Sequence, residues 1–241
     1  MSAPKLKRFY KEVTIVPIEG GFEIQLDGRP LRSPEQNALN LPNAALSEAM
    51  TQEWRDQGEK ISPPTMPLTK LAFTATDRVT PNRDAVIEQI SAFANSDVIC
   101  YRATEPGELV KRQKECWDPI LQWADAELGA EMRTGEGIGY IAQNFDALDA
   151  LTAVYSDKSD FHLAALYSLA VIGNSLVIAL ADAEGEMSAE DAFQCANCDE
   201  LYQSEKWGDD EEAQARLKER AEEFRAAAEF LKLLNISSPV N

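Results

Sequence analysis

The chain has 241 residues, 41 of them acidic against 23 basic, for a formal net charge of −18. A polyanion of this kind is repelled by nucleic acid and by anionic lipid, so neither is expected as a partner. The apolar fraction of 44% and charged fraction of 27%, without long Gly/Ser-rich or Pro-rich tracts, predict a folded protein with one large domain or two small ones. The opening Met1-Ser2-Ala3-Pro4-Lys5 has no apolar leader core and no run of about 18 apolar residues follows, so neither signal peptide nor membrane span is expected.

Arg8 to Val16 mixes aromatic and β-branched residues, and Phe22, Ile24 and Leu26 alternate with Glu23 and Gln25 after Gly20-Gly21. Asp27-Gly28 supplies a turn before Pro30 and Leu31, which predicts a small antiparallel meander continued by Ala38 to Leu41. From Asn43 the period changes: Leu46, Met50 and Trp54 fall four apart behind an Asn43 cap, with Gly58 closing the helix. Ile61-Ser62-Pro63-Pro64 punctuates the chain and places a domain boundary near residues 60 to 80. The expected fold class is α+β: a small β-rich N-terminal domain with one helix over 1–75, then an all-α helical-bundle domain over 76–236.

Everything after Pro81 reads as helix, first over Arg83 to Phe93 and then from about Pro106 to Leu128. Leu109, Trp117, Leu121 and Leu128 form a stripe in that second segment, and Pro119 is placed to kink or divide it. Phe145 to Leu180 is the most apolar stretch, interrupted near Asp157 and at Gly173-Asn174, and predicts buried central helices. Ser188 with Asp191 resembles a capping box opening a helix to about Lys206; Gly208 ends it, and Asp209 with Glu212 opens another. In that last helix Ala213, Leu217, Ala221, Phe224, Ala228 and Leu231 share a face, which predicts a helical hairpin docked on the bundle.

Candidate chemistry is sparse. The single histidine, His162, lies between Phe161 and Leu163 with no partners for a catalytic triad, and reads as structural. Gly135, Gly137 and Gly139 lack the Lys-Ser/Thr of a phosphate loop and the spacing of a dinucleotide fingerprint, so a plain loop is expected. The four cysteines, Cys100, Cys116, Cys195 and Cys198, are too few to staple a chain of this length, and reduced thiols are expected. Cys195 and Cys198 have the spacing of zinc and redox sites, but no second pair completes a four-ligand shell and both read as mid-helix. The strongest feature is acidic: residues 182 to 229 hold 16 acidic and 5 basic side chains, a net −11. A solvated helix face accounts for Asp209 to Glu212 at a positive helix N-terminus, but poorly for Glu205 near the end of the preceding helix. The alternative is a protein-binding rim beside Trp207.

Several stretches taken in order resemble one family. They are Lys7-Arg8-Phe9-Tyr10-Lys11, Leu26-Asp27-Gly28-Arg29-Pro30-Leu31, Met66-Pro67-Leu68-Thr69-Lys70-Leu71-Ala72, Cys100-Tyr101-Arg102-Ala103 and Trp117-Asp118-Pro119. At the C-terminal end follow Asp199-Glu200-Leu201-Tyr202-Gln203 and Glu205-Lys206-Trp207-Gly208-Asp209-Asp210. The ordered set resembles the ATP synthase assembly chaperones of the Atp-twelve type. That resemblance implies a monomeric, non-catalytic protein without cofactor or metal, which binds the unassembled α subunit of the F-type ATPase head and shields its β-facing surface. It implies partner-binding roles for Glu205 and Asp210, and Glu200, Trp207 and Asp209 of the same motif are taken with them. A bacterial cytoplasm is the expected location, or the mitochondrial matrix for a processed eukaryotic protein. The rival readings are a small-molecule enzyme using Glu205 and Asp210 as an acid/base pair in an interdomain cleft, and a thiol or zinc sensor using Cys195 and Cys198.

Overall fold

The alternation at Phe22, Ile24 and Leu26 becomes the middle strand of a three-stranded antiparallel sheet in the computed structural model, which describes residues 7–137, 139–208 and 211–236. Strands β1 (Val13–Ile18), β2 (Gly21–Leu26) and β3 (Arg29–Pro30) lie in that order, with Val13 opposite Leu26 and Ile15 opposite Ile24. Asp27 and Gly28 both take left-handed backbone, φ 49° and 74°, as a two-residue hairpin turn requires. The Asp27 carboxylate also accepts from the amides of Glu12 and Lys11 at 2.8 and 3.0 Å, and these bonds hold it below the usual carboxyl range. Residues 38 to 41 add isolated bridges, Arg32 to Ala38 and Phe22 to Leu41, in place of a fourth strand. Gly21 permits the second bridge, since a Cβ there would lie 2.4 Å from the Leu41 carbonyl oxygen.

Helix α1 (Ala44–Arg55) starts where Asn43 accepts from the Leu46 amide at 2.9 Å, and buries Leu46, Met50 and Trp54. Helix α2 (Pro67–Thr74) has Pro67 in its first turn and no cap from its own preceding residue. The α1 carboxylate of Glu53 supplies one, accepting from the Leu68 and Thr69 amides at 2.8 Å each and from the Thr69 hydroxyl at 2.7 Å. Burial pushes the Glu53 carboxyl up, and those bonds act against the shift. Past α1, α-helical structure therefore resumes at Pro67, ahead of the continuous helical part expected after Pro81. It continues through a π turn at Ala75–Val79 and a 3-10 turn at Thr80–Asn82 into α3 (Arg83–Asn95). Asp77, buried in the π turn, accepts from the Ser33 hydroxyl, the Asn37 amide group at 2.9 Å and the Glu35 amide at 3.1 Å. Burial opposes its charge, but these bonds outweigh that and keep the carboxyl below its ordinary range.

Two-residue strands β4 (Tyr101–Arg102) and β5 (Gly135–Glu136) pair in parallel, so the otherwise helical C-terminal part is not purely α and Gly135 belongs to a strand instead of a plain loop. Helix α4 (Gly107–Leu128) runs unbroken through Pro119 and ends at left-handed Gly129. Helices α5 (Phe145–Tyr155), α6 (Asp160–Gly173) and α7 (Leu176–Ala183) form the apolar stretch, with the expected breaks after Tyr155 and at Asn174, φ 49°. The α7 N-terminus is held by Ser175 and by fully buried Asp97, which accepts from the Val177 amide at 3.0 Å. Burial pushes Asp97 up to about 6.

Helix α8 (Ala189–Ala196) opens on the expected Ser188 cap, whose Oγ accepts from the Asp191 amide at 3.1 Å. It does not run on to Lys206. Asn197 breaks it at φ −107°, ψ 23°, donating its side-chain amide to the Phe193 carbonyl at 2.8 Å, and α9 (Cys198–Trp207) starts afresh. Gly208 ends α9 as expected; the Asp209 cap falls outside the described residues. In α10 (Glu211–Leu234) the buried residues are Phe224, Ala227, Phe230 and Leu231, whereas Ala213 is exposed and Leu217 only half-buried. The apolar face drawn from Ala213 onward is thus covered only in its second half.

Cα proximity divides the chain into two units: Met1–Arg83 with Asp160–Ala165 and Glu229–Asn241, and Asp84–Ser159 with Leu166–Ala228. In the first unit the N-terminus of α1 meets the end of α10, where Asn43 donates to the Leu233 and Leu234 carbonyls at 2.9 and 3.1 Å, and Phe161 stacks on Phe230. In the second, Trp117, Leu151, Tyr155, Leu169, residues 176–181 and Phe224 form the core. A β-rich N-terminal region followed by a mostly helical one is the expected architecture. Among the described residues no helix is long and apolar enough to cross a membrane.

Candidate partner-binding face

Helix α9 lies against α4 in the second unit and presents the acidic motif. Its polar side chains are tied down along that seam, running antiparallel to α4. The Gln113 amide donates to Asp199 Oδ1 at 2.8 Å, Arg112 Nη2 to Glu205 Oε1 at 2.7 Å, and Lys206 Nζ reaches Glu108 Oε2 at 2.6 Å. The Tyr202 hydroxyl also approaches Glu108 at 3.4 Å. The hydrogen bond from Lys206, then its charge, holds the Glu108 carboxyl below its usual range, and the same bond raises Lys206. On another side of α9, Arg220 of α10 pairs with Glu200 at 2.7 Å and donates to the Asn197 side chain and to the Ile172 carbonyl at 3.2 Å.

Glu205 and Glu200 therefore share one helix, and each is half of an ion pair inside the protein. This supplies the reason for Glu205 that helix-end electrostatics could not: Arg112, 93 residues earlier, sits opposite it. The Glu205 side chain remains 57% exposed and Arg112 37%, so the pair faces solvent. Asp209, Asp210 and the side chain of Trp207 lie outside the described residues.

Sequence reasoning missed the α4 residues that organise this face. Gln113, 1% exposed, is the central one. While its nitrogen serves Asp199, its oxygen accepts from the Ala103 amide at 2.8 Å, joining the acidic helix to the segment after β4. On that far side of α4 lies a groove of about 530 Å3 lined by Arg102, Val110, Lys114, Leu121, Thr134 and Glu136. Arg102 is fixed there between Asp118, 2.8 Å away, and the Trp117 ring. A buried Gln within an amphipathic helix was the available signal. Two aromatic side chains of the same unit, Tyr140 and Phe145, stand 73% and 81% exposed.

The other candidates fall elsewhere. His162 pairs through Nε2 with the Asn235 side chain at 3.2 Å in the first unit. Cys195 ends in α8, but Cys198 opens α9, so the pair straddles a helix junction instead of lying mid-helix. All four thiols are free. Among the described residues no three His, Cys, Asp or Glu side chains are placed to hold a metal ion.

Known proteins share this fold. The family described as "ATP12 chaperone protein" matches residues 7–125. Atp12 of Paracoccus denitrificans superposes with a TM-score of 0.91 at 37% identity, covering 95% of this chain and 99% of that one. The Atu1473 protein of Agrobacterium tumefaciens superposes equally well, TM-score 0.91, at 41% identity over 95% of this chain and 86% of its own. Protein atp12, mitochondrial, of Schizosaccharomyces pombe is 26% identical over 222 residues, 87% of this chain and 76% of that relative. The chain belongs to the ATP12 chaperone family.

Proposed function

We propose that this chain is an ATP synthase assembly chaperone that binds the unassembled α subunit of the F-type ATPase head and shields its β-facing interface until β replaces it. The observation that carries this reading is the match to Atp12 of Paracoccus denitrificans along nearly the full length of both chains. Identities of 37% and 41% to bacterial proteins, against 26% to the yeast mitochondrial one, support a bacterial cytoplasm.

The physical task is to cover apolar surface. An obligate subunit interface buries roughly 2,000 Å2 or more, and a subunit waiting for its neighbour leaves that surface open to misassociation. Exposed Tyr140 and Phe145 offer apolar contact area at little conformational cost. Glu200 and Glu205, with Trp207, Asp209 and Asp210 of the same motif, form the acidic partner-binding rim that orients a basic client surface. The chaperone works as a monomer, needs no cofactor or metal, and catalyses nothing. Its affinity must lie below that of β, because release proceeds by competition.

The test is isolated α subunit diluted from denaturant with and without the purified chaperone. The expected result is a soluble one-to-one complex that dissociates when β is added. Aggregation of α at the same rate in both samples refutes the proposal.

A further inference from the structure

Three of the four cysteines meet at one place in the second unit. Cys116 is on α4, Cys195 closes α8 and Cys198 opens α9. The Cys195 Sγ donates to the Cys116 carbonyl at 3.8 Å, and the Trp117 indole donates to the Cys195 carbonyl at 2.8 Å, so α4 and the α8–α9 junction are held in contact at these residues. Cys195 and Cys198 bracket the α8–α9 break that faces Cys116 across this contact. Burial differs within the group: Cys195 and Cys198 are buried, 8% and 1% exposed, whereas Cys116 is only half-buried. One turn before Cys116 stands Arg112, whose Nη1 is buried without a hydrogen-bond partner among the described residues while Nη2 serves Glu205.

We propose that Cys116, Cys195 and Cys198 form a peroxide-sensitive thiol site, with Cys116 the attacking thiol and Cys195 or Cys198 the one that resolves it. The arrangement supplies what such chemistry needs: a half-buried cysteine one helical turn from a fixed cation, facing a helix junction that carries two further thiols. The Cys195 and Cys198 hydrogen bonds, joined by the Arg112 guanidinium, hold the Cys116 thiol below its ordinary range against the effect of burial. Bonding to Cys116, with burial, pushes the other two up, so the proton stays on the resolving thiols until they are used.

The oxidant is hydrogen peroxide. The Cys116 thiolate attacks one peroxide oxygen, the O–O bond breaks, and the departing hydroxide takes a proton to leave as water. Cys116 is then a sulfenic acid. Sulfur of Cys195 or Cys198 attacks it, the S–O bond breaks, and the second hydroxide leaves as water with the proton of the resolving thiol. Two thiols are oxidised to one disulfide and one peroxide is reduced to two waters. The new bond staples α4 to the α8–α9 junction, one turn from the Arg112–Glu205 pair.

The experiment uses the full reduced chain at neutral pH. Cys116 should alkylate with iodoacetamide at least about tenfold faster than fully buried Cys100. After one equivalent of hydrogen peroxide, free thiols counted by mass should fall from four to two. Non-reduced peptide mapping should join the Cys116 peptide to the one holding Cys195 and Cys198. Cys116→Ser, checked for native folding by circular dichroism, should keep its remaining thiols. Equal alkylation of Cys116 and Cys100 in the unaltered chain, a disulfide confined to Cys195 and Cys198, or thiol loss undiminished in Cys116→Ser each overturns the assignment.

Discussion

Glu205 is paired within the protein and is also a residue proposed to meet the client, and a charge swap separates the two roles. Arg112 and Glu205 are 2.7 Å apart with side chains 37% and 57% exposed, a geometry in which an ion pair contributes about 0.2 to 1 kcal/mol. Glu205→Lys removes that pair and sets two cations together, for a cost of about 1 kcal/mol, or roughly 2 to 4 °C in Tm for a chain of this size. Arg112→Glu combined with Glu205→Lys rebuilds the pair in reverse and should return most of that stability. Capture of isolated α should not return. A carboxylate read by a basic client surface is worth about 1 to 2 kcal/mol at a rim, a weakening of roughly five- to thirtyfold in Kd. Thermal unfolding and a binding titration on the two single variants and the double variant complete the cycle. If the double variant regains full affinity, Glu205 acts only through Arg112 and its proposed client contact is refuted.

Two further outcomes test the fold. Gly21→Ala should cost about 2 kcal/mol or more in urea denaturation, because the added Cβ meets the Leu41 carbonyl oxygen at 2.4 Å, and backbone must move to admit it; a change within about 0.5 kcal/mol would mean the Phe22–Leu41 bridge is not held so closely. Asp182 is pushed up to about 6 by burial, from 3.8. A carboxyl raised on folding gives stability that is full below its unfolded pKa and is lost as pH rises through about 6, and Asp97 acts with the same sign in the same window. For Asp182 the rise from 3.8 to about 6 converts at face value to about 3 kcal/mol, and solvent at this half-buried site reduces it to about 1 kcal/mol. Asp182→Asn should therefore be more stable than the parent at pH 7 by about that amount, with the gap narrowing toward pH 4; a variant less stable at pH 7 would contradict it.

Local patterns in the chain were good guides where one short segment decides the outcome. The Asp27-Gly28 turn, the Asn43 and Ser188 caps and the stop at Gly208 each follow from the chemistry of one or two residues, and each is present. The break at Asn197 was not legible, because the apolar positions of α8 and α9 suit one continuous helix. The side chain that turns the backbone there is itself held by Arg220, 23 residues on. Helix α2 was obscured by its flanking prolines and by a cap supplied from another helix. The ordered motifs pointed to the ATP12 family, whereas the partners of the acidic helix did not emerge. Arg112 and Glu205 are 93 residues apart, and Cys116 and Cys195 are 79 apart. No spacing rule connects residues at such separations; only the packing of α4 against α8 and α9 does.

The cap that Glu53 extends to Leu68 and Thr69 bears on how the chain is made. During synthesis α1 leaves the ribosome before α2, so the acceptor is in place when its two donors emerge. The second helix thus has the Leu68 and Thr69 amides at its start satisfied by the first helix in the docked arrangement. Its start point is a product of docking, and an early, mis-set helix over Pro67–Thr74 would lack the anchor that fixes its ends.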